Sequence, residues 1–256
     1  MAILEIRTTN RNALGKATGA RAIVPEGLPG PFPVLYLLHG LSDDHTAWTR
    51  FTRLESYVDG LPLIVVMPDG GRGFYTDSRS NPRAAFETFV ARDLVGFVDA
   101  AFRTIPDRSG RVVAGLSMGG YGALKLALKH PDLFRAAASH SGAVGFASRP
   151  WTDVEPHWGL EFAPVFGKDP RGGPDDLFAI AERADRAKLP ALRIDCGVDD
   201  GLIESNRNFH ARLEALGVPH EYAEFPGGHD WGYWDEHVRE ALDFFARELK
   251  LERAAG

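Results

Sequence analysis

The chain has 256 residues, 44% of them hydrophobic, which suits one α/β domain with a sizeable core. A formal net charge of −6 argues against nucleic acid or an anionic membrane surface as a partner. The single cysteine, Cys196, excludes an intrachain disulfide, so nothing demands an oxidising compartment.

Residues 1–7 alternate like a strand and lack the basic and long apolar regions of a signal peptide. No apolar run reaches the ~20 residues of a membrane helix, so the expected location is the cytoplasm, with no membrane partner. Residues 34–39 and 63–67 are unbroken apolar runs, as in parallel strands buried on both faces. Residues 86–102 carry Phe86, Phe89, Val90, Leu94, Val98 and Ala101 at helical spacing. Residues 111–114 predict another buried strand, and a helix-like run follows from Gly120 to His130, stopped by Pro131. Residues 134–139 predict a further strand.

The stretch 143–188, rich in Pro, Gly and aromatic residues, breaks the alternation and is expected to form a small irregular cap inserted over the site. After it come a strand over 191–196, a loop, and a helix over about 203–216. His220 opens a strand, a glycine-rich loop spans 225–231, and a helix runs from about 234 to 249. Strands alternating with helices predict an α/β fold with a mostly parallel, doubly wound sheet, as a single domain over residues 1–256.

Between the strand at 111–114 and the helix after it lies Gly115-Leu116-Ser117-Met118-Gly119, a G-x-S-x-G nucleophile elbow in the context that motif needs. A serine hydroxyl needs a base to take its proton. In this fold the order is nucleophile, acid, histidine. His229, in the glycine-rich loop, is the candidate base. His130 fits a helix cap, His140 a strand end that lines the site, and His210 and His237 polar helix faces. His39 precedes the serine and fits a loop-structuring role. The acid comes from the loop after residues 191–196, where Asp199 and Asp200 are adjacent and only one faces His229. Asp195 lies within the strand, and Asp230 is too near His229 in sequence to orient it.

The oxyanion donors expected are the backbone N–H groups of Met118, directly after the nucleophile, and of Leu41, after the strand ending at His39. Tyr75, Phe146, Trp151 and Trp231 are expected to close a small apolar acyl pocket. Asp43, Asp44 and His45 offer no second carboxylate–histidine cluster, so neither a metal nor any other cofactor is expected. Cys196 reads as a small buried hydrophobe.

Leu37-Leu38-His39-Gly40-Leu41, Gly115 to Gly122, Cys196-Gly197-x-x-Asp200-x-Leu202 and Gly228-His229-x-Trp231-x-x-Trp234 resemble the esterase D family. Glu87-Thr88-Phe89 and Ser139-x-Ser141-Gly142 join that pattern. The family includes S-formylglutathione hydrolases, tributyrin-type carboxylesterases, feruloyl and acetylxylan esterases, and mycolyltransferases. The resemblance is strongest to bacterial tributyrin-type esterases and runs from about residue 35 to 234. It implies an α/β-hydrolase fold and selects Asp200 over Asp199 as the acid. It further implies a serine carboxylesterase for short-chain acyl esters, with a thioesterase of the S-formylglutathione kind as the alternative. A hydrolase-fold binding module without catalysis is the third reading, disfavoured by the intact elbow. The partner expected is a small ester or thioester, and the sequence leaves a homo-oligomer open.

Overall fold

The computed structural model describes residues 1–10 and 12–253, and its eight strands form one sheet in the order β1-β2-β4-β3-β5-β6-β7-β8. In chain order they are β1 (Ala2–Asn10), β2 (Lys16–Val24), β3 (Val34–Leu38), β4 (Ile64–Pro68), β5 (Arg111–Leu116), β6 (Ala136–His140), β7 (Ala191–Gly197) and β8 (Glu221–Phe225). β1 pairs antiparallel with β2, and β2 antiparallel with β4. From β4 to β8 every pairing is parallel. This is the mostly parallel α/β-hydrolase sheet that the sequence predicts.

β2 is an element that sequence patterning misses. Its Ala17, Gly19, Ala20 and Ala22 are weak strand formers, and the strand is held by ladders on both sides. Central strands alternate their side chains between two cores. Val34, Tyr36 and Leu38 face one side of the sheet, and Leu35 and Leu37 the other.

The helices are α1 (Ala47–Phe51), α2 (Leu54–Val58), α3 (Phe86–Thr88), α4 (Val95–Ala101), α5 (Met118–Lys129), α6 (Pro156–Phe166), α7 (Leu177–Arg183), α8 (Ile203–Ala215) and α9 (Trp231–Leu249). α4, α5, α7 and α8 contribute to the first core, and α1, α2 and α9 to the second. Helices on both faces make the sheet doubly wound. Each fully buried Leu, Val or Phe in these cores contributes roughly 1.5–3 kcal/mol.

The helix expected over 86–102 is interrupted by a π-helical turn at Phe89–Leu94, between α3 and α4. Glu87 of α3 faces inward to meet a buried cation. Lys125 of α5 is fully enclosed, with Nζ donating to Thr76 Oγ1 at 2.6 Å and lying 3.0 Å from Glu87 Oε2 and 3.6 Å from Asp175 Oδ1. Lys129 and His130 also contact Glu87, at 2.7 and 3.0 Å. Burial alone would raise the Glu87 carboxyl, but Lys125, His130 and Lys129 outweigh it and hold it well below the ordinary carboxylate range.

The stretch 143–188 is more ordered than the irregular cap expected. It holds two short 3₁₀ turns, α6 and α7. Pro156 starts α6, where a missing N–H costs nothing, and Trp158, Phe162 and Phe166 follow at four-residue spacing on one face. α9 starts three residues before the expected 234, because Asp230 caps it by accepting the Tyr233 N–H at 3.1 Å. His237, placed on a polar face by its helical pattern, is instead buried and stacks on Phe225 at 4.2 Å.

Candidate active site

β5 ends at Leu116 and α5 starts at Met118, so the single residue Ser117 makes the whole turn. Its backbone takes φ 52° and ψ −116°, a strained conformation for an L-residue costing on the order of 1–3 kcal/mol. Two backbone bonds hold it there. The Ser117 N–H donates to His140 O at 2.9 Å, and Ser117 O accepts from the Ala143 N–H at 3.0 Å. The flanking glycines are required by close approach. A Cβ on Gly115 would lie 2.5 Å from the Gly119 carbonyl carbon, and one on Gly119 would collide with the Leu38 carbonyl oxygen.

The loops after β7 and β8 bring two further residues to this turn. His229 Nε2 lies 3.0 Å from Ser117 Oγ, and His229 Nδ1 lies 2.8 Å from Asp200 Oδ2. A carboxylate only accepts, so Nδ1 carries the proton and Nε2 is left to accept from the serine hydroxyl. Asp200 is 2% exposed, and its other oxygen accepts the Leu202 N–H at 2.7 Å. Burial pushes the Asp200 carboxyl upward, but the hydrogen bonds from His229 and Leu202 prevail and hold it below its usual value. Asp199 is exposed, and its N–H donates to Gly227 O. The Trp234 ring meets the His229 imidazole at a right angle, with centroids 5.0 Å apart and planes at 88°.

Ser117 and His229 open into a cleft of about 680 Å³. Leu41, Met118, Phe74, Phe146 and Trp158 supply apolar lining, and Arg149, Asp153 and Glu155 supply charge. Leu41 and Met118 therefore both border the cleft beside Ser117. An added Gly40 Cβ would stand 3.6 Å from the Ser117 Cβ, so the loop after β3 runs directly against the Ser117 turn.

A family model for Esterase, described as "Putative esterase", matches residues 12–245. The chain belongs to this esterase family. Esterase Rv1288 of Mycobacterium tuberculosis (strain ATCC 25618 / H37Rv) is 34% identical over 250 residues, covering 85% of this chain. The chain spans only 54% of that relative's length. An acetyl esterase of Caldicellulosiruptor saccharolyticus is 27% identical over 96% of this chain and 99% of its own. Among solved structures, the S-formylglutathione hydrolase FrmB from Staphylococcus aureus superposes with a TM-score of 0.83 at 26% identity, covering 95% of this chain and 98% of that one.

Within this esterase-family chain, Phe146 is the one ring of the expected acyl pocket that borders the cleft, and three others do not. Tyr75 is fully buried, with its hydroxyl donating to His39 O at 3.0 Å and its ring pressed against Gly70 and Gly122. Trp151 backs Phe146, anchored by its Nε1–H to Gly167 O at 2.7 Å. Trp231 turns away, onto Trp48, Phe51 and Trp234. Phe74, Arg149 and Leu202 are lining residues that sequence reasoning did not find. Phe74 sits in a turn with φ 50° and stacks on Phe146 at 4.3 Å, a placement no periodicity encodes.

His140 does not line the cleft either. It is fully buried beneath the turn, with Nδ1 3.0 Å from Asp195 Oδ1. His39 is buried as a loop brace, donating from Nδ1 to Gly40 O and accepting the Gly70 N–H at Nε2. Asp44 accepts from the Thr46 N–H and hydroxyl, closing a turn. Among the described residues no group of three or more His, Cys, Asp or Glu is placed to hold a metal ion. The Cys196 thiol is pushed up to about 12 by burial and by nearby Asp200, which makes it a poor nucleophile. Among the described residues no helix is long and apolar enough to cross a membrane.

Proposed function

We propose that the protein is a serine carboxylesterase acting on short-chain acyl esters through a covalent acyl-enzyme. The observation that carries this reading is the hydrogen-bonded line Ser117–His229–Asp200 bordering a cleft with apolar and charged walls. His229 Nε2 takes the Ser117 proton as Oγ attacks the ester carbonyl. The N–H groups of Leu41 and Met118 receive the developing oxyanion. Asp200 steadies the imidazolium, which then gives its proton to the leaving alcohol. Water enters, His229 takes a proton from it as its oxygen attacks the acyl carbon, and His229 then returns that proton to Ser117 Oγ as the acyl C–Oγ bond breaks and the acid leaves. Membership of the esterase family and the likeness to an acetyl esterase along nearly its whole length support this choice. No cofactor enters any step.

A thioester substrate of the S-formylglutathione kind is the second reading, favoured by the superposition on FrmB. The same residues serve both, with a thiol in place of the alcohol as leaving group. The test is initial-rate hydrolysis of p-nitrophenyl acetate and S-formylglutathione by wild type and Ser117→Ala, with mass spectrometry after fluorophosphonate treatment. The expected result is an adduct on the Ser117 peptide and near-complete loss of turnover in the variant. A Ser117→Ala protein keeping a tenth of wild-type kcat overturns the assignment.

A further inference from the structure

Behind the nucleophile turn lies a carboxylate that the proposed chemistry does not use. Asp195 is fully buried at the β7 position registered against His140 of β6. Oδ1 accepts from His140 Nδ1–H at 3.0 Å and from the Tyr233 hydroxyl at 3.1 Å. Arg193 Nε lies 3.8 Å from Oδ2, and both hydrogen-bond donors lead back to the site. The His140 carbonyl accepts the Ser117 N–H at 2.9 Å, so the residue whose ring Asp195 holds is the one that anchors the strained serine. Tyr233 stands in the first turn of α9, directly after the His229 loop, and its ring packs where a Gly227 Cβ would be 2.9 Å away. A second contact ties the two loops, since a Gly197 Cβ would collide with Gly227 O.

We infer that Asp195 is a positioning residue: one buried carboxylate sets the strand end that holds Ser117 and the helix start that holds His229 in a single register. The inference rests on the nucleophile and base proposed above. Its chemistry follows from acceptor count. Oδ1 meets both donors and Oδ2 lies 2.9 Å from the same His140 Nδ1, so both carboxylate oxygens face that proton, whereas an Asn has one accepting oxygen and its NH₂ must take the other place. Facing Tyr233 with that oxygen turns its NH₂ onto His140 Nδ1, against the proton there. Either the His140 tautomer switches or one hydrogen bond is lost, and the 3.0 Å Ser117–His229 approach is no longer enforced. Misplacement of reacting groups by about 1 Å costs on the order of 10²-fold in rate.

The experiment compares Asp195→Asn, Tyr233→Phe and the double variant with Val98→Ala, a buried core change on α4, as stability control. Rates with p-nitrophenyl acetate and inactivation by a fluorophosphonate are measured below the melting temperature of each protein. Asp195→Asn is expected to lose at least 20-fold in kcat with KM within threefold, and to slow inactivation in proportion. Tyr233→Phe loses about fivefold, the double variant is no worse than Asp195→Asn, and Val98→Ala keeps kcat while losing stability. An Asp195→Asn protein retaining half of wild-type kcat, or single effects that multiply in the double variant, overturns the positioning role. A wild-type protein inert to both reagents refutes the nucleophile assignment, and this role falls with it.

Discussion

Asp200→Asn is the sharpest single perturbation of the proposed site. The substitution preserves size and removes an acceptor. Asp200 Oδ1 is committed to the Leu202 N–H at 2.7 Å, so the Asn carbonyl must turn to Leu202 and its NH₂ to His229. An NH₂ facing Nδ1 selects the imidazole tautomer with Nδ1 bare and Nε2 protonated. Nε2, 3.0 Å from Ser117 Oγ, then donates where it must accept, and the serine proton has no destination. In a comparable triad this tautomer error costs ~10⁴ in kcat, about 5 kcal/mol of barrier at 1.36 per factor of ten. Asp199 offers the control. It is exposed and holds its neighbour through backbone, so Asp199→Asn should stay within about threefold, the scale of one exposed hydrogen bond. Initial rates on p-nitrophenyl acetate, with melting curves for both proteins, decide the matter. An Asp200→Asn enzyme within tenfold of wild type, or Asp199→Asn as the more impaired of the two, refutes the reasoning.

The cleft wall predicts acyl selectivity. With Phe146 stacked on Phe74, acetyl to butyryl esters should be favoured over octanoyl. Phe146→Ala should raise the octanoyl-to-butyryl ratio of kcat/KM about tenfold, equivalent to accommodating roughly two methylenes at ~0.8 kcal/mol each; an unchanged ratio on a chain-length panel rejects this wall. The Glu87 cluster predicts acid sensitivity. Because the folded carboxyl is held far below its unfolded value, its contribution is present above about pH 4.3 and is lost as pH falls below that. Wild type should therefore lose stability more steeply than Glu87→Gln between pH 5 and 3, measured as urea midpoints; parallel slopes exclude the linkage.

The fold was legible wherever a run of apolar residues had one interpretation. β3 and β4 appear in the sequence as unbroken apolar stretches, β5 as one after Arg111 and β7 as one interrupted by Arg193 and Asp195, and their bounds shift by only a residue or two. β2 was not legible, because its Ala and Gly residues acquire strand geometry from two neighbouring ladders rather than from their own preference. α6 was hidden behind Pro156 and Pro164, although Trp158, Phe162 and Phe166 carried the helical spacing. At the site, glycine patterns pointed to Ser117 and to the His229 loop, since close backbone approach leaves a signature in residue type. The choice between Asp199 and Asp200 did not follow from composition and came from the family resemblance. Pocket rings failed for a physical reason. Trp231 is two residues from His229, but helical geometry at the start of α9 turns its ring onto Trp48. Closeness in sequence says nothing of direction.

The residues proposed to break the bond and many of those that line the cleft reside on different kinds of chain. Ser117, Asp200 and His229 each follow the carboxyl end of a parallel strand, whereas Phe146, Arg149, Asp153, Val154, Glu155 and Trp158 come from one short stretch between β6 and α7, joined at the cleft by Leu41, Phe74 and Leu202 from other loops. That separation has an evolutionary consequence. Substitutions or length changes within a single continuous segment can redraw the substrate range without passing through variants that disturb the sheet, the strained serine or its hydrogen-bonded partners. Divergence of preference among descendants of such a gene should therefore accumulate in this segment first.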